Sequence, residues 1–161
     1  YKSYFKRNGT NLWYIQTCHR RLFNLFKNIR KDLNSILVLM NQGNLKENSL
    51  QFIEGFFDAE GCVKIVKGKE RKTPKICLDI CSTDYEYQEL IKELLEKYLN
   101  IKARYSIQES FIGKDGSPRK RIYHLRIYKK NYVKKFLENI KTTKLKPEKV
   151  IYVNNWLNNG K

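Results

Sequence analysis

From residue 49 onward, apolar positions alternate between helical and strand spacing. Leu50, Phe52, Ile53, Phe56 and Phe57 recur every three or four residues, which predicts a helix from Ser49 to Ala59 with a wide apolar face. Asn48 or Ser49 is its expected N-cap, Gln51 takes the capping-box position if Asn48 caps, and Gly61 stops it. Two β-rich runs follow, Val63 to Val66 and Lys75 to Ser82, separated by the lysine-rich segment 67–74 as in a hairpin with a long loop. In the second run Ile76, Leu78 and Ile80 alternate with Cys77, Asp79 and Cys81, giving one dry face and one polar face. Asp84 then caps a helix from Tyr85 to Tyr98, whose buried stripe is Leu90, Ile91, Leu94, Leu95 and Tyr98. A second hairpin, Ile101 to Phe111 with Arg121 to Tyr128, is expected around the Lys-Asp-Gly-Ser-Pro turn chemistry of residues 113–118. Helical spacing resumes through Val133, Phe136 and Leu137, and again from Glu148 to Leu157 after Pro147. The expected order is α-β-β-α-β-β-α.

The first forty residues carry a related signal. Trp13 to Phe26 lies over Tyr123 to Phe136 at a constant offset of 110, which brings His19, Arg20 and Arg21 opposite Lys129, Lys130 and Asn131 and Phe26 onto Phe136. On that overlay residues 1–40 are the C-terminal remnant of an earlier copy of the unit, and residues 41–161 are the unit itself. Chance similarity of two short basic amphipathic stretches is the alternative. The chain begins at Tyr1 without an initiator methionine, as a truncated or processed piece would.

Composition adds a partner. Lysine and arginine number 33 against 16 acidic residues, a formal charge of +17, where about 2 to 8 suffices for an ordinary small domain. So large a single-sign field calls for a polyanion. The basic residues are spread through strands and loops with tyrosine between them, and no single basic amphipathic helix of the membrane-surface kind is visible. The longest apolar run, Ile36 to Met40, is far short of the roughly 20 residues a membrane span requires. Nucleic acid is therefore the expected partner, and no membrane. Cys18, Cys62, Cys77 and Cys81 form no CxxC pair and only His19 and His124 could supplement them, so spacing gives a tetrahedral zinc site little support. Thiols kept reduced in an intracellular setting, prokaryotic cytoplasm or organelle, are the expectation.

The chemistry concentrates at the first helix. Gly55 and Ala59 lie four residues apart on one face, where small side chains let a second helix approach at backbone distance. A second copy of the same helix is the natural partner. Glu60, at the last turn, would then come near its symmetry mate, and two carboxylates that close need a cation between them. Hard oxygen ligands suit Mg²⁺, with phosphate and water completing the shell. An arbitrary acidic residue at a helix end would more often be solvated or paired with a lysine.

The segment from Phe52 to Gly61, with Gly55, Asp58, Ala59, Glu60 and Gly61 at the characteristic positions, resembles the LAGLIDADG motif of homing endonucleases. The order of elements after it also matches that family. The resemblance implies an α+β fold, an αββαββα unit whose curved antiparallel sheet forms a DNA-binding saddle. It further implies metal-dependent double-strand cleavage with one carboxylate per motif, by a homodimer or with a missing first repeat joined through the motif helix, in an intron or intein setting. Glu60 is the implied catalytic and metal-binding residue. The same similarity points to Lys144-Leu145-Lys146 as the place of a basic residue near the cleaved phosphate, with Lys146 preferred, although a lone lysine is by default a surface residue. Asp58, two residues earlier, is expected to serve helix-end hydrogen bonding. Some homing enzymes carry a glutamine after the second strand, whereas this chain has Ser82, Thr83 and Asp84 there.

Strand alternation assigns the DNA-facing set as Lys64, Lys75, Asp79, Lys102, Arg104, Ser106, Gln108, His124 and Arg126, with Arg119 and Arg121 also expected at the duplex. Arginine reads guanine and glutamine reads adenine, while the loop lysines Lys67, Lys69, Lys72, Lys114 and Lys120 suit phosphates. The competing reading is a nucleic-acid-binding module that keeps the fold without catalysis, such as an intron RNA splicing helper (maturase) or a transcription regulator.

Overall fold

A computed structural model describes residues 2–7, 10–15, 32–66, 75–145 and 147–158. The chain divides into two compact units, residues 1–39 and 40–161. The first contains an antiparallel hairpin, β1 (Lys2–Arg7) and β2 (Thr10–Ile15), in which Lys2 pairs with Ile15 and Arg7 with Thr10, and most of helix α1 (Leu33–Met40). Trp13 to Ile15 is thus strand, like Tyr123 to Leu125, and the rest of the proposed internal overlay, through Phe26, lies outside the described residues.

The second unit runs α2 (Leu45–Glu60), β3 (Gly61–Val66), β4 (Lys75–Ser82), α3 (Tyr85–Leu99), β5 (Arg104–Gln108), β6 (Phe111–Ile112), β7 (Pro118–Arg119), β8 (Ile122–Ile127), α4 (Lys130–Asn139) and α5 (Pro147–Asn158). Its main sheet has the order β3-β4-β8-β5, every pair antiparallel, so two hairpins meet at the β4–β8 seam. Val63, Ile76, Leu78, Ile80, Leu125 and Ile127 form the dry face of that sheet and are all buried. Against them pack Ile53 and Phe57 of α2, Ile91 and Leu95 of α3, Val133 and Phe136 of α4 and Val153 of α5. The fold is α+β, with the helices supplying the second layer of one core.

Three boundaries differ from the sequence expectation by more than two residues, each for a local reason. Helix α2 starts a turn early, at Leu45, because the Asn44 side chain takes the cap and accepts from the Glu47 amide at 3.3 Å. The polar run Lys46 to Ser49 hides that first turn from apolar spacing. Asn48, expected as the cap, lies inside the helix and donates from Nδ2 to the carbonyls of Met40 (3.0 Å) and Gln42 (2.7 Å). Ile101 is not in a strand. Asn100 closes α3 in the left-handed region (φ 47°), and the Ile101 amide bonds back to Leu95 at 3.1 Å, which buries Ile101 under the helix end. Finally, the second hairpin breaks after Gln108 and resumes as the short pair β6–β7, whose tip turns at Gly116 (φ +75°).

Candidate functional site

The motif helix delivers Glu60 to the junction of α2 and β3. Its direction is set by Ile53 and Phe57, fully buried, and by Gly61, where a Cβ would stand only 2.4 Å from the Phe57 ring and 2.5 Å from the Phe57 carbonyl oxygen. Only glycine permits this tight exit. Glu60 is exposed and makes no hydrogen bond or ion pair with any described residue. Gly55 and Ala59 are exposed on the same helix, and a Cβ built on Gly55 would meet nothing within 4 Å.

A strap of chain from between α4 and α5 is bound to this end of the helix. Glu54 accepts from the Lys141 amide at 3.1 Å, and Asp58 accepts from the Thr142 hydroxyl (2.6 Å), the Thr143 amide (3.0 Å) and the Thr143 hydroxyl (2.9 Å). The expected helix-end role of Asp58 thus takes the form of a bridge to a distant segment. The strap brings one ammonium group and α5 a second to the backbone on either side of Glu60: Lys144 Nζ is 3.5 Å from the Ala59 carbonyl oxygen, and Lys149 Nζ, from α5, is 3.1 Å from that of Val63. Lys146 lies outside the described residues.

The hydrogen bond from Thr142, followed by those from Thr143 and the charge of Lys144, holds the Asp58 carboxyl below the usual aspartate range. A depressed folded value means that the stabilisation is complete above the ordinary aspartate range and is lost as pH falls through the lower, folded value. Asp58→Asn is expected to lower the amide-exchange protection of Thr143 about tenfold at neutral pH, as the charge-assisted acceptor is removed. The same variant should flatten the acid dependence of that protection, and hydrogen exchange from pH 2 to neutrality, about that span, reads both.

On the sheet's polar face, strand register lays charged groups in rows. Cys62, Asp79, Arg126 and Arg104 are successive cross-strand partners, and so are Cys81, His124 and Ser106. Asp79 sits at the middle and is completely buried. Lys64 forms an ion pair with it, His124 Nδ1 lies 3.1 and 3.2 Å from its two oxygens, and Arg126 Nε lies 3.4 Å away while Arg126 also reaches the Ser106 hydroxyl at 3.2 Å. Burial pushes the Asp79 carboxyl up, but the Lys64 hydrogen bond and the neighbouring His124 outweigh it and hold the carboxyl below its ordinary value. This shielding explains why β4 is buried on its polar side as well as its dry side, contrary to simple alternation.

The remaining expected contact residues are more dispersed. Lys75, Arg104 and Gln108 are exposed on the strands, Lys102 precedes β5 and faces Glu96 at 3.8 Å, and His124 is buried. Arg119 and Arg121 pair with Asp115 (2.9 Å) and Glu109 (2.8 Å) near the hairpin tip, with Lys114 and Lys120 exposed beside them. Lys67, Lys69 and Lys72 lie outside the described residues.

A sequence model of the LAGLIDADG-like domain matches residues 47–141, which include all but the first two residues of the motif helix, both hairpins and α4. The chain belongs to the LAGLIDADG-like domain family. No curated protein matches it. LAGLIDADG proteins include homing endonucleases and maturases and bind DNA, and the endonucleases of the family typically use divalent metals. Among the described residues no helix is long and apolar enough to cross a membrane. Within this LAGLIDADG unit, sequence reasoning missed the Glu54 and Asp58 bridges, Lys149 and the Asp79 cluster. Each depends on a partner between 15 and 87 residues away, and only the polar alternation of β4 hinted at one of them.

Proposed function

We propose that this LAGLIDADG chain is a site-specific double-strand DNA endonuclease that acts with a second motif helix, most simply that of a second copy of itself. The observation that carries the reading is Glu60, an exposed carboxylate without a partner among the described residues, at the end of a helix whose Gly55 and Ala59 are open. Glu60 fits a hard divalent cation such as Mg²⁺, which it would hold together with its counterpart from the paired helix and the DNA phosphate. When bound, that cation supplies activation of water and charge neutralisation at the scissile phosphate. The chain's own residues do the rest. Glu60 supplies the carboxylate, Lys144 and Lys149 place positive charge beside the strand to be cut, and Lys146 is retained as a third candidate for that role. The polar face of the sheet, with Lys64, Arg104, Gln108 and Arg126, meets the duplex above the buried His124, and the hairpin tip with Arg119 and Arg121 extends the contact along it. Lys75 and Lys102 add charge at its margins.

Incubating the full chain with Mg²⁺ and a randomised plasmid library is expected to give a discrete double-strand cut. Tight duplex binding with no cut at any site would defeat the reading and leave a binding module of the same family.

Pairing through the motif helix has its own test. Gly55→Arg is expected to weaken self-association by on the order of 100-fold, seen by sedimentation, because two helices could no longer approach at backbone distance. The substitution meets open space within one chain and improves helix propensity by roughly 1 kcal/mol, so lost association would not reflect unfolding. A chain that is monomeric at every accessible concentration would rule out the homodimer.

A further inference from the structure

We propose that Asp79, Cys81 and His124 form a second metal centre on the polar face of the sheet, selective for Zn²⁺ or a similar soft-to-borderline cation and separate from the oxygen site at Glu60. The candidate donor atoms lie within 4.8 Å of one another. Cys81 Sγ is 3.1 Å from His124 Nδ1, which is 3.1 Å from Asp79 Oδ1. In a tetrahedral zinc site such donors stand about 3.4–3.6 Å apart, given Zn–S near 2.3 Å and Zn–N or Zn–O near 2.1 Å, so the two pairs that share His124 Nδ1 need open by only a few tenths of an ångström.

Sheet register creates the site. Cys81 and His124 are directly opposed on β4 and β8, Asp79 is two residues from Cys81 on the same face, and Cys62 of β3 is the cross-strand partner of Asp79. Asp79, Cys81 and His124 supply the protein donors, and water completes the fourth position. Spacing along the chain gave no sign of this, since the donors come from two strands far apart in sequence rather than from a CxxC pair. Ligand softness separates the two centres: sulfur and imidazole favour zinc, whereas a carboxylate with phosphate and water favours Mg²⁺.

The occupant of the site without metal is Lys64, whose ammonium holds the Asp79 carboxylate. Its side chain is 46% exposed, so it can turn out to solvent, while Arg126 remains on the carboxylate and keeps it oriented. Binding exchanges that ammonium for the ion and releases the Cys81 thiol proton to solvent. Gly61 pairs with Ile80, so Cys81 follows at the end of the ladder reached by Glu60. Zinc there would tie β4 and β8 together at the margin of the proposed cleavage site.

The test uses the full chain stripped with chelator, titrated calorimetrically with Zn²⁺ and optically with Co²⁺. One ion should bind, with a thiolate-to-cobalt charge-transfer band. C81S and H124A should each weaken Zn²⁺ by about tenfold to hundredfold or more, and C81S should abolish the band. K64Q, which removes the competing cation without removing a donor, should tighten binding about tenfold, and its fold is checked by circular dichroism. E60Q should change nothing. Binding that survives C81S and H124A, a cobalt complex without thiolate absorption, or loss of binding in E60Q would overturn the proposal.

Discussion

Glu60→Gln is expected to reduce divalent-metal-dependent cleavage by about 10³-fold or more while leaving duplex affinity and folding stability almost unchanged. The substitution keeps the shape of the side chain and removes its charge. In the proposed dimer the loss would occur twice, once for each cut strand. Stability should move by less than about 0.5 kcal/mol, since Glu60 is exposed and has no partner among the described residues. DNA affinity should hold because it rests on the basic groups of a chain carrying a formal charge of +17. The measurements are single-turnover cleavage of the selected site with Mg²⁺, a gel-shift titration without metal, and thermal unfolding. Retained cleavage in Glu60→Gln would remove the central residue of the proposed function and shift attention to the binding-module reading.

Glu60 stood out through the resemblance of Phe52 to Gly61 to the LAGLIDADG motif, whereas the helix that carries it is legible from its own pattern. Apolar residues at three- and four-residue spacing fix the buried face, the two small residues mark the open one, and Gly61 marks the stop. Strand β4 was legible end to end, Lys75–Ser82, because Ile76, Leu78 and Ile80 alternate without interruption. Polar structure was not legible in the same way. Gln88 is completely buried, and its Nε2 bonds the Ile80 carbonyl at 3.2 Å, yet a glutamine in a helix reads as solvated. Asp79 was read correctly as lying on the polar face, but its burial depends on Lys64 and Arg126 closing over it from neighbouring strands. Apolar periodicity reports which side of an element is dry. It cannot report which polar groups meet across strands, because that is decided by register.

The largest expected loss of stability lies one turn before Glu60. Phe57→Ala should destabilise the unit by about 3–5 kcal/mol, lowering its thermal midpoint by roughly 10–20 °C. Phe57 is fully buried, its ring lies 5.0 Å from that of Phe136, and Gly61 folds directly against it. An alanine there opens a cavity where α2, α4 and the start of β3 converge. A domain of this size has about 5–15 kcal/mol in hand, so a third or more of it could go. The functional consequence separates this variant from Glu60→Gln. Phe57 fixes the position of the helix end from which Asp58 holds the strap and Glu60 projects. Cleavage should therefore fall even at temperatures where Phe57→Ala remains folded, and Phe57→Leu, which leaves a smaller cavity, should recover part of both stability and activity. Denaturant unfolding alongside cleavage rates for the two variants tests the coupling; full activity in a folded Phe57→Ala would show that the carboxylate is positioned by something other than this packing.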